Sequence, residues 1–184
     1  IAATTRIALL SSPLRSRFSG GMLRLVFYTE KEIEEILKRS AKILGVTVHP
    51  EALKEIARRS RNTPRTANYL LKRCRDFSQV HKEDFSKESA GKALKLLEID
   101  ELGLTSSDRK ILSVLSEKFN GGPVGLNTLA AATSEEQATI EEVYEPYLIQ
   151  QGLLERTPKG RVLTSRGYEH LGEKPPANLQ EKLL

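Results

Sequence analysis

Between Thr29 and Leu97, apolar residues recur at helical spacing in four blocks, each opened by a cap or a proline. Thr29 with Glu32 three positions on forms a capping box, so a helix starts there. Ile33, Ile36, Leu37, Ile43 and Leu44 give it one apolar stripe, and Gly45 ends it. His49-Pro50 opens a second helix with the stripe Ala52, Leu53, Ile56, Ala57, since proline suits the first helical position. Asn62-Thr63-Pro64 opens a third, carrying Ala67, Leu70, Leu71, Cys74 and Phe77. A fourth follows Ser86, with Ala90, Ala93, Leu94 and Leu97. No block is long enough to bury its stripe alone, so the four must pack on one another. This predicts a compact helical domain over 29–103, ending in the short acidic linker Glu98–Gly103.

A second unit follows. Thr105 caps a helix bearing Ile111, Leu112, Leu115 and Phe119, and Gly121-Gly122-Pro123 breaks the chain. Leu126, Leu129 and Ala130 mark a short helix. Ser134 and Gln137 read as another capping box, opening a helix with Ile140, Val143, Tyr144, Tyr147 and Leu148 and a kink at Pro146. Leu153 to Leu163 then reads strand, turn, strand. Three helices followed by a hairpin make a winged helix-turn-helix, spanning 104–172. Residues 173–184, with Pro175-Pro176, read as a flexible tail.

The N-terminal stretch, 1–28, is different. Ile1 to Thr5 reads as the end of a strand, and Leu23 to Tyr28 alternates like another. Ser11-Ser12-Pro13 and Ser19-Gly20-Gly21 read as turns. The chain starts at Ile1 and its one methionine is Met22, so we expect a processed product, a deliberately cut fragment or part of a longer protein.

Composition narrows the chemistry. Lys and Arg number 29 against 24 Asp and Glu, a net charge of +5 that permits nucleic-acid binding without requiring it. No apolar run reaches the roughly 18 residues of a membrane span, and no secretory leader is present. A single cysteine, Cys74, excludes an intramolecular disulfide and lies on a core stripe. His49, His81 and His170 are too scattered to suggest a metal site. The phosphate-loop pattern G-x-x-x-x-G-K-[ST] is absent, and no nucleophile, base and orienting residue form a set.

The hairpin carries the sharpest functional signal. Arg156, Lys159 and Arg161 surround a tight turn, where guanidinium groups can grip phosphate; a solvated turn would have the same residues. The helix before it is acidic at Glu135, Glu136, Glu141, Glu142 and Glu145, which we place on its exposed side. Phosphate would be repelled there, so the wing should dominate DNA contact. Arg65 at a helix start is a candidate anion site or simply a surface arginine. Arg17, beside Phe18, is by itself a loop arginine.

Taken in order, several segments resemble one family. They are Ala3-Thr4-Thr5-Arg6, Ser12-Pro13-Leu14-Arg15-Ser16-Arg17-Phe18, Phe27-Tyr28, Thr63-Pro64-Arg65, and Arg73-Cys74-Arg75-Asp76-Phe77. Gly121-Gly122-Pro123-Val124-Gly125-Leu126, Glu145-Pro146-Tyr147-Leu148-Ile149-Gln150-Gln151-Gly152 and Arg156-Thr157-Pro158-Lys159-Gly160-Arg161 complete the set. Their order and spacing resemble the RuvB family, bacterial AAA+ motors that move Holliday junctions in recombination and repair.

The resemblance implies a mainly α chain: residues 1–28 as the end of an α/β AAA+ large domain, then a helical lid, then a winged-helix head. It implies a homo-hexamer in the bacterial cytoplasm that uses ATP with Mg2+ and works on four-way-junction and duplex DNA with RuvA and, in a larger complex, RuvC. No membrane is implied. Residue by residue, Thr5 matches the first sensor of the γ-phosphate and Arg17 the arginine finger that reaches the neighbouring subunit's ATP. Tyr28 matches the tyrosine against the nucleotide base, Arg65 the second sensor, and Arg156 and Arg161 the DNA-contacting arginines of the wing. Lys159 stands where arginine is usual, keeping the charge without the fork. Asn62 stands where glycine is usual. Lacking the phosphate loop, the chain alone should be inactive. The competing readings are a stand-alone winged-helix DNA-binding regulator and a clamp-loader-like AAA+ subunit.

Overall fold

The computed structural model describes residues 1–4, 7–18 and 20–176. The helical lid is built from α2 (Glu30–Ile43), α3 (Pro50–Arg58), α4 (Pro64–His81) and α5 (Lys87–Leu96), after a short α1 (Ser12–Ser16). Three lid helices begin at a side-chain cap, and α3 begins at Pro50 with no side-chain bond from His49. Thr29 Oγ1 accepts from Glu32 N–H while Glu32 accepts from Thr29 N–H at 2.7 Å, the reciprocal capping box. Thr63 caps α4 ahead of Pro64, and Ser86 exchanges hydrogen bonds with Ser89 at the start of α5. Ile33, Leu37, Leu53, Ile56, Leu70, Leu71, Cys74 and Leu94 form the lid core.

The second unit comprises α6 (Ser106–Phe119), α7 (Leu126–Thr133), α8 (Gln137–Thr139), a π-helical segment (Ile140–Tyr144), α9 (Glu145–Gln150), β1 (Leu154–Thr157), β2 (Gly160–Leu163) and α10 (Ser165–His170). Its core is a separate cluster around Leu104, Ile111, Leu112, Leu115, Leu129, Ile140, Leu148, Leu154, Leu163 and Tyr168. β1 and β2 pair antiparallel, with Arg156 opposite Arg161 and Thr157 opposite Gly160. Val124 adds a bridge on the far side of β2, its N–H donating to Arg161 O at 2.9 Å and its carbonyl accepting from Arg161 N–H at 2.8 Å. Gly160, at φ 137°, permits this: a Cβ there would lie 2.5 Å from the Val124 carbonyl oxygen.

Several sequence expectations need correcting. Residues 23–28 form no strand; Leu23, Leu25 and Val26 are exposed and regular pairing is absent, because a strand needs a neighbour to satisfy its backbone. Residues 1–4 are likewise irregular. Pro13 sits in the first turn of α1 rather than in an isolated turn. Ser134 does not open a capping box with Gln137. It is the left-handed C-cap of α7 at φ 59°, and α8 starts at Gln137, its N-cap Glu136 making no side-chain cap bond. Ile43 and Val143 are exposed. Ile43 lies in the last turn of α2, where the stripe passes instead through Ala41 to Leu44. At Pro146 the helix does not simply kink. Proline has no N–H for the carbonyl one turn back, and the preceding residues widen into the π segment, which shifts the phase of the next turn. Val143 turns outward and Glu145 inward.

Candidate functional site

The wing arginines converge on one carboxylate. Arg156 and Arg161 face each other across the hairpin, and both guanidinium groups bond to Glu145 at the start of α9. The Glu145 side chain is 1 % exposed. The acidic face expected on this helix therefore loses one member: Glu145 is buried by the phase shift at the π segment and its charge is met by two cations. Burial pushes its carboxyl up, but the hydrogen bonds and charges of Arg161 and Arg156 outweigh that and hold it below the ordinary carboxylate range.

The two arginines differ in reach. Arg161 is enclosed, 12 % exposed, whereas Arg156 is 47 % exposed and also lies 3.1 Å from Glu141 on the adjoining turn. Lys159 stands at the exposed tip, with no ion-pair partner among the described residues. Thr157 Oγ1 donates to Gly160 O at 2.9 Å and closes the turn. The tip thus offers one half-exposed guanidinium and one ammonium without an ion-pair partner among the described residues, on a hydrogen-bonded hairpin.

The candidate nucleotide residues divide. Tyr28 N–H donates to Asn62 O at 3.3 Å, so Tyr28 rests against the turn that leads into α4 and carries Arg65. Arg65, second residue of α4, is exposed and unpaired among the described residues. The structure brings these two onto one edge of the lid. Arg17 is the C-cap of α1, exposed, and not joined to that edge by any hydrogen bond or ion pair among the described residues. Thr5 lies outside the described residues. Asn62 adopts φ 55°, a conformation that glycine serves more easily. Arg61 before it is also left-handed, at φ 54°.

Three residues that sequence reasoning missed are Glu145, Arg61 and Asp108. Arg61 reaches from the lid to Asp108 at the start of α6, 47 positions away. Charge in a surface-looking run hid Glu145, and nothing local in the sequence pairs Arg61 with Asp108. No helix among the described residues is long and apolar enough to cross a membrane. No group of three His, Cys, Asp or Glu among them could hold a metal ion.

Comparison with known proteins matches these two units in the same order. Residues 28–100 match the RuvB AAA lid domain and residues 101–172 the RuvB C-terminal winged helix domain. The chain is 58 % identical over 173 residues to the Holliday junction branch migration complex subunit RuvB of Chloroflexus aggregans and 57 % identical to that of Chloroflexus aurantiacus. These alignments cover 94 % of the chain but 49 % of each relative, so the chain spans about half their length. The solved Thermotoga maritima RuvB Holliday junction branch migration motor superposes with a TM-score of 0.84 at 50 % identity, covering 92 % of this chain and 57 % of that one. A point mutant of the same protein gives 0.86, covering 94 % and 58 %. A mainly helical chain with an AAA lid, a winged-helix head and this level of identity belongs to the RuvB family.

Proposed function

We propose that this chain is the lid and DNA-contacting head of an ATP-driven motor that migrates Holliday junctions, with residues 1–28 closing a large ATPase domain, 29–103 the lid, 104–172 the head and 173–184 a tail. The reading rests most on the lid edge, where Tyr28 is bonded to the turn just ahead of α4 and Arg65, in the first turn of that helix, has no partner among the described residues. An aromatic ring and a free cation on one edge fit a nucleotide's base and phosphate. ATP bound there would supply the γ-phosphate for Arg65 to hold. Arg65 would bind it within its own subunit, Tyr28 would pack on the base, and Arg17 would reach the neighbouring subunit's nucleotide in a homo-hexamer. Thr5 would act as the first sensor, and Mg2+ would be held by residues beyond those described.

At the head, Arg156 and Lys159 would meet duplex phosphates directly. Arg161 would contribute through the carboxylate it shares with Arg156. RuvA, and RuvC in the larger assembly, would be the partners, in a bacterial cytoplasm. The chain alone would not hydrolyse ATP.

The test uses the longer polypeptide that carries this sequence, with RuvA and a synthetic four-way junction. ATP-dependent junction dissociation that is lost in Arg65→Ala, and poisoned by mixing in Arg17→Ala subunits, is the expected result. Sequence-specific duplex binding with no ATP dependence would instead favour a winged-helix regulator.

A further inference from the structure

The lid and the head have separate apolar cores, and polar contacts cross between them. Arg61 lies at the centre of that junction. Its Nε donates to Gly103 O at 2.9 Å, its Nη2 pairs with the fully buried Asp108, and its guanidinium carbon sits 4.6 Å from the centre of the Tyr147 ring. One side chain of the lid therefore touches the linker, the first turn of α6 and the middle of α9. Each contact is itself anchored. Asp108 accepts from Thr105 N–H at 2.7 Å and Thr105 Oγ1 at 2.6 Å, and the Tyr147 hydroxyl donates to Leu102 O at 2.6 Å. The linker is pinned a second time by Arg59 Nη1, which donates to Ile99 O at 3.1 Å. Backbones close up there too, since a Cβ on Gly103 would stand 2.6 Å from Arg59 O.

The backbone at Arg61 supports a demanding role. Arg61 and Asn62 are consecutive left-handed residues, a conformation that disfavours side chains with a Cβ. Such strain persists where surrounding contacts over-determine it. Asn62 O is the acceptor for Tyr28 N–H, and Arg65 comes three residues later. On the other side, Tyr147 lies two residues after Glu145, which holds both wing arginines. The Tyr28–Arg65 edge and the wing are thus linked by these contacts together with two short stretches of backbone, Arg61 to Arg65 and Glu145 to Tyr147.

We propose that Arg61 is a positioning residue for the motor: it locks lid and head into one body, so that displacement of the Arg65 turn moves the wing. The transmission half rests on the proposed motor function; the locking half does not. Lysine cannot replace it fully, because the planar fork bonds Gly103 and Asp108 at once while stacking on Tyr147.

The test has two arms. Residual dipolar couplings on the 184-residue chain, free of ATP and DNA, report whether lid and head share one alignment tensor. Wild type should fit one tensor, Arg61→Ala two, and Arg61→Lys should fall between, which keeps the arm decisive if the alanine variant folds poorly. In the longer polypeptide, Arg61→Ala should leave ATP turnover and junction affinity within about twofold while junction movement per ATP falls roughly tenfold, the size of effect such coupling positions carry. A single shared tensor in both variants, or unchanged movement per ATP in Arg61→Ala, would overturn the proposal. If the wild-type polypeptide shows no ATP turnover, the motor function fails with the transmission it supports, and the tensors still decide the lock.

Discussion

Arg161 and Glu145 form an enclosed ion pair at the root of the wing, the carboxylate 1 % and the arginine 12 % exposed. A charge in that position is tolerable only with its partner present. Removing the carboxylate by Glu145→Ala strands the Arg161 cation, and we expect the chain to lose about 3–5 kcal/mol of stability, the usual result of breaking a buried pair from one side. Urea unfolding followed by a probe in the head measures it. A change under about 1 kcal/mol would show that the wing relaxes to solvate Arg161 instead.

The same carboxylate sets an acid limit on the head. Its folded-state pKa lies below its ordinary value of 4.5, so the ionised form is favoured more in the folded chain than in the unfolded one. Its contribution to stability is therefore complete above the ordinary carboxylate range, declines as pH falls through that range, and is lost below the depressed folded value. Stability measured between neutral pH and about pH 3 should fall, and Glu145→Gln should flatten part of that slope. A variant whose pH profile parallels wild type would assign the acid sensitivity to other carboxylates.

Arg156, Lys159 and Arg161 should respond differently to substitution. Arg156→Ala and Lys159→Ala should each weaken DNA binding across sequences and shallow the salt dependence by roughly one unit of slope, because each would release a phosphate contact. Arg161→Ala should chiefly destabilise the fold, leaving Glu145 buried with one partner instead of two. Fluorescence anisotropy over a salt series, beside thermal melts, separates the two outcomes.

If Arg156 contacts DNA as proposed, Glu141 would compete with DNA for it. Their pair is 3.1 Å long and about half-exposed on both sides, so it should add little stability. Glu141→Gln should raise DNA affinity about threefold at low salt, from losing one negative charge within roughly 7 Å of a bound phosphate, with melting unchanged. Unaltered affinity would mean that bound DNA lies further from this turn.

Cys74 is buried beneath α5, and burial pushes its thiol up to about 12. Since the thiolate is the reactive form, Cys74 in the folded chain should resist alkylation at about pH 8 and react rapidly in denaturant. Fast native-state labelling would indicate that the lid core opens readily.

Much of this fold was legible because it is local. Caps such as Thr29 with Glu32, Thr63 before Pro64 and Thr105 act within one turn, and the Pro158-Lys159 turn closes a hairpin whose strands are neighbours in the chain. The candidate residues on these elements, Arg65, Arg156 and Lys159, stand where such signals put them. Tertiary structure decided the rest. Residues 23–28 alternate like a strand yet form none, because pairing depends on a neighbour that alternation cannot supply. Glu145 sits in an acidic run yet is buried, because the widened turn before Pro146 changes its phase and two wing arginines arrive to neutralise it. Arg61 meets Asp108 across 47 positions, a distance over which spacing carries no information. Hydrogen bonds within a turn can be read from neighbouring residues; the partner of a buried charge is chosen only when separate elements pack together.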